Sequence, residues 1–220
     1  IMAYTFPLSL ENFASKLRLQ GMKLRLLAMQ DVSTTSGGGL YTAELAPAQW
    51  FGEGQIGVLT AQQAAELQAM FEVLDGSMNS FYIDHPLYRY PFSDYWGEVL
   101  NSHPTTIKLG SVASNNKEIS IVDAPAGFQF PAGTFFHFDY GSNPVHRAFH
   151  RIVNTVTANG SGSASNVEVR PHIRPGFSVG TVLEFKRPAL EAKIIPASYS
   201  EGGAESVIVM GMGFQFQQVI

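Results

Sequence analysis

Hydrophobic and polar residues alternate with a period of two along most of this chain, which is the pattern of strands that bury one face. Within Lys16–Gln30 two alternating runs meet at Gly21, where a bulge or a hairpin is expected. Leu, Lys, Arg and Met also favour an amphipathic helix, so this alternative stays open although strands are favoured. Two further strands are predicted at Leu40–Leu45 and Gln49–Leu59, after a flexible glycine-rich loop at Ser33–Gly39.

A single segment has the spacing of a helix. Thr60 and Gln63 form a capping box, in which the threonine hydroxyl accepts from the third residue's N–H and the glutamine reaches back. Apolar residues then recur at helical spacing, at Ala64, Leu67, Met70 or Phe71, and Leu74. The following Asp75-Gly76 supplies a left-handed stop. The sequence thus predicts one α-helix that packs a single apolar stripe against a sheet.

Short strands separated by turn residues return after the helix. They are predicted at Met78–Ile83, Thr105–Leu109, Glu118–Val122, Phe135–Tyr140, Val145–Thr157, Asn166–Pro171, Thr181–Arg187 and Glu205–Gln217. Five of them fall within about 75 residues, which is enough to close a small barrel. Proline-rich segments near Pro91 and Pro175 bracket this block, because a residue before proline favours extended backbone. We therefore predict one domain formed by residues 1–91 and 176–220, with a small β-barrel domain of residues 92–175 inserted into it.

Composition narrows the class of protein. Charged residues make up 15% of the 220 residues, below the usual share of about 25%, while the chain holds 21 Gly and 16 Phe. Such a chain is too hydrophobic for disorder and indicates a packed β-rich protein, compatible with one that hides surface in an assembly. The net charge of −4 gives no basic footprint for nucleic acid. The absence of Cys excludes disulfides and thiolate sites, and no apolar run approaches the ~20 residues of a membrane span.

Three histidines are the candidates for a metal site. His146 and His150 are four residues apart in a predicted strand, where they share a face, and His137 lies on a neighbouring strand. Three imidazoles could bind zinc, but HExxH is absent and Asp139 is the one carboxylate at matching spacing. The alternative is half-buried sheet histidines that donate to backbone carbonyls. We favour this alternative and assign no metal ligands.

Other catalytic patterns are missing from the sequence. There is no GxSxG elbow, and the serines cluster in glycine-rich turns without a neighbouring histidine. The glycines of Ser33–Gly39 match neither a P-loop nor a dinucleotide fingerprint. Asp123, Asp139 and Glu168 are scattered among predicted strands rather than paired for glycoside hydrolysis. The sequence therefore predicts a protein that is not an enzyme, with no catalytic residues and no cofactor.

The predicted barrel offers aromatic residues for ligand binding. Phe135, Phe136 and Phe138 could stack on bases or sugar rings, as in OB-like domains. Phe136 and Phe138 share one face of their strand, which favours an interior position instead. Binding of a nucleic acid or a sugar is therefore kept as an alternative.

The order of several short motifs gives the chain a wider resemblance. These motifs are Gln30-Asp31-Val32-Ser33, Gly37-Gly38-Gly39, Trp50-Phe51-Gly52-Glu53, Leu74-Asp75-Gly76, Phe81-Tyr82-Ile83-Asp84-His85-Pro86, Pro131-Ala132-Gly133-Thr134-Phe135 and Val169-Arg170-Pro171-His172-Ile173-Arg174-Pro175-Gly176. In this order they resemble the distal tail protein of long-tailed, non-contractile (siphovirus-type) bacteriophages, which sits where the tail tube meets the tip. The resemblance spans most of the chain, and its motifs are structural rather than catalytic.

The resemblance implies a mainly β fold and an assembly. It implies a belt domain, a β-sandwich with one α-helix, that closes a hexameric ring. It also implies a variable second domain facing outward, which in some relatives is a small OB-like β-barrel inserted into the belt. The first strands and the capped helix at Thr60–Gly76 are expected to supply ring contacts.

The resemblance also implies a structural role in a virion. The homo-hexamer is expected to join the tail-tube protein to the tip or baseplate hub, with the tape-measure protein as a further partner, and to leave a lumen for DNA. Its expected place is the phage tail tip, after assembly in the bacterial host cytoplasm and without membrane insertion. The modest negative charge would let DNA slide, because basic side chains bind phosphates by counterion release. Relatives with a large C-terminal sugar-binding domain are longer, which favours an assembly hub; the alternative is a carbohydrate-binding module contacting the host cell surface.

Overall fold

The structure of the protein is a computed structural model that describes residues 4–220. The chain is mainly β, as predicted, with several antiparallel sheets. It forms two compact units: the first combines residues 4–81 with Ala192–Val219, and the second is Tyr82–Glu191. The boundaries that the prolines suggested, after residues 91 and 175, lie inside the second unit.

The order of the elements places the second unit within the chain of the first. The elements are a 3-10 turn at Ala14–Lys16, β1 (Leu19–Thr34), β2 (Leu40–Ile56), β3 (Leu59–Thr60), α1 (Ala61–Val73), β4 (Phe81–Asp84), a 3-10 turn at Phe92–Asp94, α2 (Glu98–Ser102), β5 (Lys108–Val112), β6 (Glu118–Val122), β7 (Gln129–Phe130), β8 (Phe135–Tyr140), β9 (His146–Ile152), β10 (Val156–Thr157), β11 (Ala164–Arg170), β12 (Ala189–Ile194), β13 (Gly203–Glu205), β14 (Ile208–Met210) and β15 (Gly213–Gln218). The strands form sheets of order β1-β2-β15-β12-β4, β13-β14-β3, β5-β6-β11-β9-β8 and β10-β7. The chain passes between its units within β4 and within β12, where no turn residue marks the boundary.

β1 and β2 form one long antiparallel hairpin whose pairing continues up to the turn. The strand interpretation of Lys16–Gln30 is confirmed from Leu19 onward, where β1 begins, whereas Lys16 ends the 3-10 turn. A register shift beside Gly21 fits the predicted bulge. The loop predicted at Ser33–Gly39 is shorter than expected, because Ser33 and Thr34 belong to β1 and only residues 35–39 connect the two strands. In that turn the Gly38 N–H donates to the Thr35 carbonyl at 3.0 Å.

β2 is one strand where the sequence predicted two, at Leu40–Leu45 and Gln49–Leu59. The strand continues through Pro47, so the prediction of two strands is wrong. A register shift leaves Pro47 and Ala48 opposite Ala28 alone. A bulge is a place where a strand tolerates proline, because an extra residue there has no ladder partner for its N–H.

α1 has the predicted capping box and the predicted apolar stripe. The Gln63 N–H donates to the Thr60 hydroxyl oxygen at 3.3 Å, and the Thr60 N–H donates to the Gln63 side-chain oxygen at 3.2 Å. The stripe is buried at Ala64, Leu67, Met70, Phe71 and Leu74. Asp75 and Gly76 have φ angles of 48° and 66°, which confirms the left-handed stop.

Aromatic rings pack directly on glycines of β2 in the first unit. Phe216 and Phe214 of β15 lie over Gly52 and Gly54, and a Cβ built on Gly52 would lie 2.1 Å from the Phe216 Cζ. Both rings are buried, and both contact the ring of Phe81. The glycines therefore leave the space that these two rings fill beside β2.

The second unit is built around the sheet β5-β6-β11-β9-β8. The segment Thr181–Arg187 bonds to both edge strands: the Leu109 N–H donates to the Thr181 carbonyl at 2.8 Å, and the Glu184 N–H donates to the His137 carbonyl at 2.8 Å. The structure has isolated β-bridges in place of the strand predicted for this segment. The segment forms one bridge with each edge strand, Val182 with Lys108 of β5 and Glu184 with His137 of β8.

Turns divide two of the other predicted strands. Val145–Thr157 consists of β9 and β10, and Glu205–Gln217 contains β14 and most of β15. Left-handed residues at Ser206 and Gly211 interrupt the latter segment. β12 was not predicted. The predicted ranges Glu118–Val122 and Phe135–Tyr140 coincide with β6 and β8.

A second helix, α2, adds to the one that the sequence predicted. The buried Asp94 carboxylate accepts from the Leu100 N–H at 2.8 Å and from the Val99 N–H at 3.2 Å. α2 has five residues, too few to give a periodic pattern, so its capping by Asp94 is not visible from hydrophobic spacing.

Candidate functional site

The three histidines considered as metal ligands lie on two faces of one sheet. The register of β8 and β9 puts His146 and His150 on the face that carries Phe136, and His137 on the opposite face with Phe149. Their imidazoles therefore do not converge. Within residues 4–220, no group of three or more His, Cys, Asp or Glu side chains is placed to hold a metal ion.

His150 is a buried histidine packed between aromatic rings. Its ring centroid lies 5.5 Å from that of Phe138 and 5.6 Å from that of Phe136. Its Nδ1 donates to the Pro171 carbonyl at 2.8 Å, which confirms for this residue the predicted bond to a backbone carbonyl. Burial lowers the pKa of His150 to about 4, with the charge of Arg174 acting in the same direction and the bond to Pro171 opposing.

His137 uses its Nδ1 as an acceptor. The Ala189 N–H donates to this nitrogen at 3.2 Å, so the proton of the neutral ring is on Nε2. Burial lowers the pKa of His137 to about 3, helped by the charge of Arg147 and opposed by Asp139. A general base needs a pKa near the operating pH, so at neutral pH His137 and His150 are suited to packing rather than to proton transfer.

The acids considered for catalysis are paired with basic side chains. Two 2.7 Å hydrogen bonds join the Arg147 guanidinium to Asp139, and the same guanidinium lies 3.9 Å from the centroid of the Tyr82 ring. Burial raises the pKa of Asp139, but the hydrogen bond and charge of Arg147 outweigh burial and hold it below its usual value. The remaining acids pair at 2.9 Å: Asp123 with Lys108, and Glu168 with Arg170.

The aromatic residues considered for stacking on a ligand are buried. Phe136 and Phe138 face the core of the second unit, as their shared parity predicted. Phe135 is also buried, on the opposite face of β8, where its ring stacks on Phe149 at 5.1 Å. These rings therefore have no face open to a base or a sugar.

An exposed aromatic patch lies instead just before α2, and we define it as Phe92, Tyr95 and Trp96. The rings of Phe92 and Tyr95 are almost parallel, 6° apart, with centroids 6.3 Å apart. Trp96 is 78% exposed and meets Tyr95 edge-on at 5.1 Å. Sequence reasoning missed this patch, because the sequence does not distinguish an exposed aromatic side chain from a core one.

The outer part of the β1–β2 hairpin, residues 30–45, is a continuous exposed segment of the first unit, and we call it the hairpin tip. Every residue of the tip is exposed, and the exposed fraction reaches 67% at Tyr41 and 72% at Leu45. β1 is an edge strand, and the pairing of β2 with β15 covers only Phe51–Gln55 in the described chain. The tip is thus a two-stranded ribbon with open edges. Such a ribbon is marginally stable alone, and its edges are templates for a partner.

A groove of about 600 Å³ lies beside α1 in the same unit, and we call it the α1 groove. Its lining includes the buried apolar side chains of Leu67 and Met70. Exposed Lys16, Arg18 and Glu66 also line it. The groove thus combines an apolar floor with a charged rim, which suits a peptide segment.

Within residues 4–220, neither helix has the length and hydrophobicity that crossing a membrane requires. No protein-family model matches the chain, and no curated protein is significantly similar to it. The surfaces described above are therefore what supports a functional proposal.

Proposed function

We propose that this protein is a structural virion protein that forms a hexameric ring at the distal end of a phage tail. The observation that carries the proposal is the hairpin tip. This 16-residue ribbon is exposed at every residue, and its open edges present unpaired backbone groups to which a partner can bind. A protein of this construction is expected to pair with further copies of itself.

In a cyclic assembly, the tip of every copy can contact the next copy. A tip that contacts a different surface on the next copy makes a head-to-tail contact, and head-to-tail contacts close into rings when the rotation fits. In this proposal the first unit is the belt domain, a β-sandwich, and the second unit is a small OB-like barrel displayed by the belt. The bonds from Thr181–Arg187 to both edge strands support the barrel interpretation.

The partners follow from the position of the ring. The tail-tube protein binds one side, the tip or baseplate hub binds the other, and the tape-measure protein reaches the ring from within the tube. DNA passes through the lumen without specific binding, in keeping with the net charge of −4. The protein is assembled in the bacterial host cytoplasm and resides at the tail tip.

Native mass spectrometry tests the ring. We expect a species of six times the chain mass of 24.0 kDa for the wild type. A shortened-hairpin variant, in which Asn-Gly replaces residues 32–42 between the paired Asp31 and Ala43, is expected to remain monomeric. A cooperative urea transition for this variant serves as the control for folding. A wild type that stays monomeric at high concentration would contradict the proposal.

A second candidate, a carbohydrate-binding module contacting the host cell surface, is favoured by the exposed aromatic patch. Aromatic rings with open faces and polar tips suit flat ligands such as sugar rings. The test is a glycan array with the wild type, Trp96→Ala, and Phe6→Ala as an exposed aromatic control outside the patch. Retention of a polysaccharide that only Trp96→Ala abolishes supports this candidate, and no retention by the wild type contradicts it.

A further inference from the structure

We propose that the hairpin tip of one copy docks in the α1 groove of the next copy. This inference rests on the proposed ring and adds to it the two faces that meet. The occupant of the groove is a second copy of this chain, and the contact is head-to-tail because tip and groove are different surfaces of the same unit.

The charges of the two surfaces are complementary. The tip contains Asp31 and Glu44 and no basic residue. The groove presents Lys16 and Arg18 in exposed positions. Within residues 4–220 none of these four side chains takes part in an ion pair. Glu66, the acid of the groove, accepts a hydrogen bond from the Gln62 side chain at 3.1 Å.

The apolar surfaces of tip and groove also match. The tip exposes Leu40, Tyr41 and Leu45, each more than 60% accessible, while Leu67 and Met70 form part of the groove lining. Aromatic and aliphatic side chains that enter a pocket surrounded by charges are the usual centre of a protein–protein contact. Tip and groove therefore have the composition of the two halves of one interface.

The tip is long enough to reach a neighbouring molecule. Within the tip, β2 runs from Leu40 to Leu45, roughly 17 Å at about 3.3 Å per residue, and its pairing with β15 begins only at Phe51. Its turn is closed by Thr35, whose hydroxyl accepts from the Gly39 N–H at 3.0 Å. The ribbon thus ends in a compact, hydrogen-bonded turn that is suited to insertion.

Cysteine cross-linking tests the contact directly, because the chain contains no Cys. Thr42→Cys on the tip and Ala69→Cys in the groove are made in separate chains, mixed, and treated with a short bis-maleimide. A cross-linked dimer of the two chains is expected. Thr42→Cys mixed with Ala204→Cys, an exposed alanine of β13 outside the groove lining, is the matched control and is expected to give no dimer.

Charge reversal gives a second test. The pair Asp31→Lys with Glu44→Lys, and separately the pair Lys16→Glu with Arg18→Glu, are each expected to weaken assembly more than about tenfold, and all four together to restore it. Glu205→Lys, an exposed acid of β13, is the control and leaves assembly unchanged. If the wild type is a hexamer but the cross-linked dimer does not form and the four charge reversals do not restore assembly, the docking of tip in groove is refuted and the proposed ring is not. A wild type that is monomeric overturns both.

Discussion

Acidification is expected to destabilise the second unit through His137 and His150. Their folded-state pKa values of about 3 and about 4 lie below the ordinary value of 6.5, because burial disfavours the charged ring. At pH values between the folded-state pKa of each histidine and its ordinary pKa of 6.5, the unfolded chain therefore binds more protons than the folded one. The stability that the neutral rings provide is fully present above about pH 6.5 and is lost as the pH falls towards the folded-state pKa values.

The structure sets the size of this effect. Each pKa unit corresponds to about 1.4 kcal/mol, so a fall from about pH 6.5 to about pH 5 costs roughly 2 kcal/mol for each histidine. The two together lower the free energy of unfolding by roughly 4 kcal/mol, a large share of the roughly 5–15 kcal/mol of a typical domain. Protonation of His137 would also remove the acceptor of the Ala189 N–H.

Urea unfolding of the shortened-hairpin variant measures the effect without interference from assembly. The free energy of unfolding is compared at about pH 7.5 and about pH 5, where Asp and Glu with ordinary pKa values stay largely ionised. His150→Phe, which keeps a ring between Phe136 and Phe138, is expected to lose about half of the pH dependence. His172→Gln, an exposed histidine, is the control and is expected to keep it all. Equal stability at both pH values, or full pH dependence in His150→Phe, would refute the reasoning.

Three substitutions test local features of the fold, the first two by urea unfolding and the third by amide exchange. Gly52→Ala forces a Cβ into the Phe216 ring and is expected to lower the free energy of unfolding by about 1–3 kcal/mol. Gly57→Ala, whose Cβ would have ordinary contacts at 3.5 Å and beyond, is the control and is expected to lower it less. Equal losses would contradict the packing of the ring on Gly52. Thr60→Ala removes the cap of α1 and is expected to cost about 1 kcal/mol, so a neutral result would speak against the capping box. Asp94→Ala leaves two N–H groups of the α2 segment without their acceptor and is expected to speed amide exchange there; unchanged protection would contradict the role of this carboxylate.

Features that depend on neighbouring residues were predictable from the sequence. The capping box at Thr60, the apolar stripe of α1 and the left-handed stop at Gly76 are all set within one helix, so their residues identify them. β6 and β8 were also predicted with the observed bounds, since turn residues flank both strands. The parity of Phe136 and Phe138 correctly gave their burial.

Features that depend on distant partners were not predictable. β2 continues through Pro47 because of its register with β1, which a local pattern does not reveal. His137 and His150 lie on opposite faces because of the pairing between β8 and β9. The hairpin tip could not be recognised either, since the alternation of apolar and polar residues along 41–45 looks the same whether one face is buried or both are exposed.

Electron microscopy of the purified protein tests the proposed assembly most directly. Class averages of the wild type in negative stain are expected to show rings with six-fold symmetry and a central lumen, and the shortened-hairpin variant is expected to show single particles. Wild-type particles without rotational symmetry, at concentrations where the chain remains folded, would contradict a ring-forming tail protein.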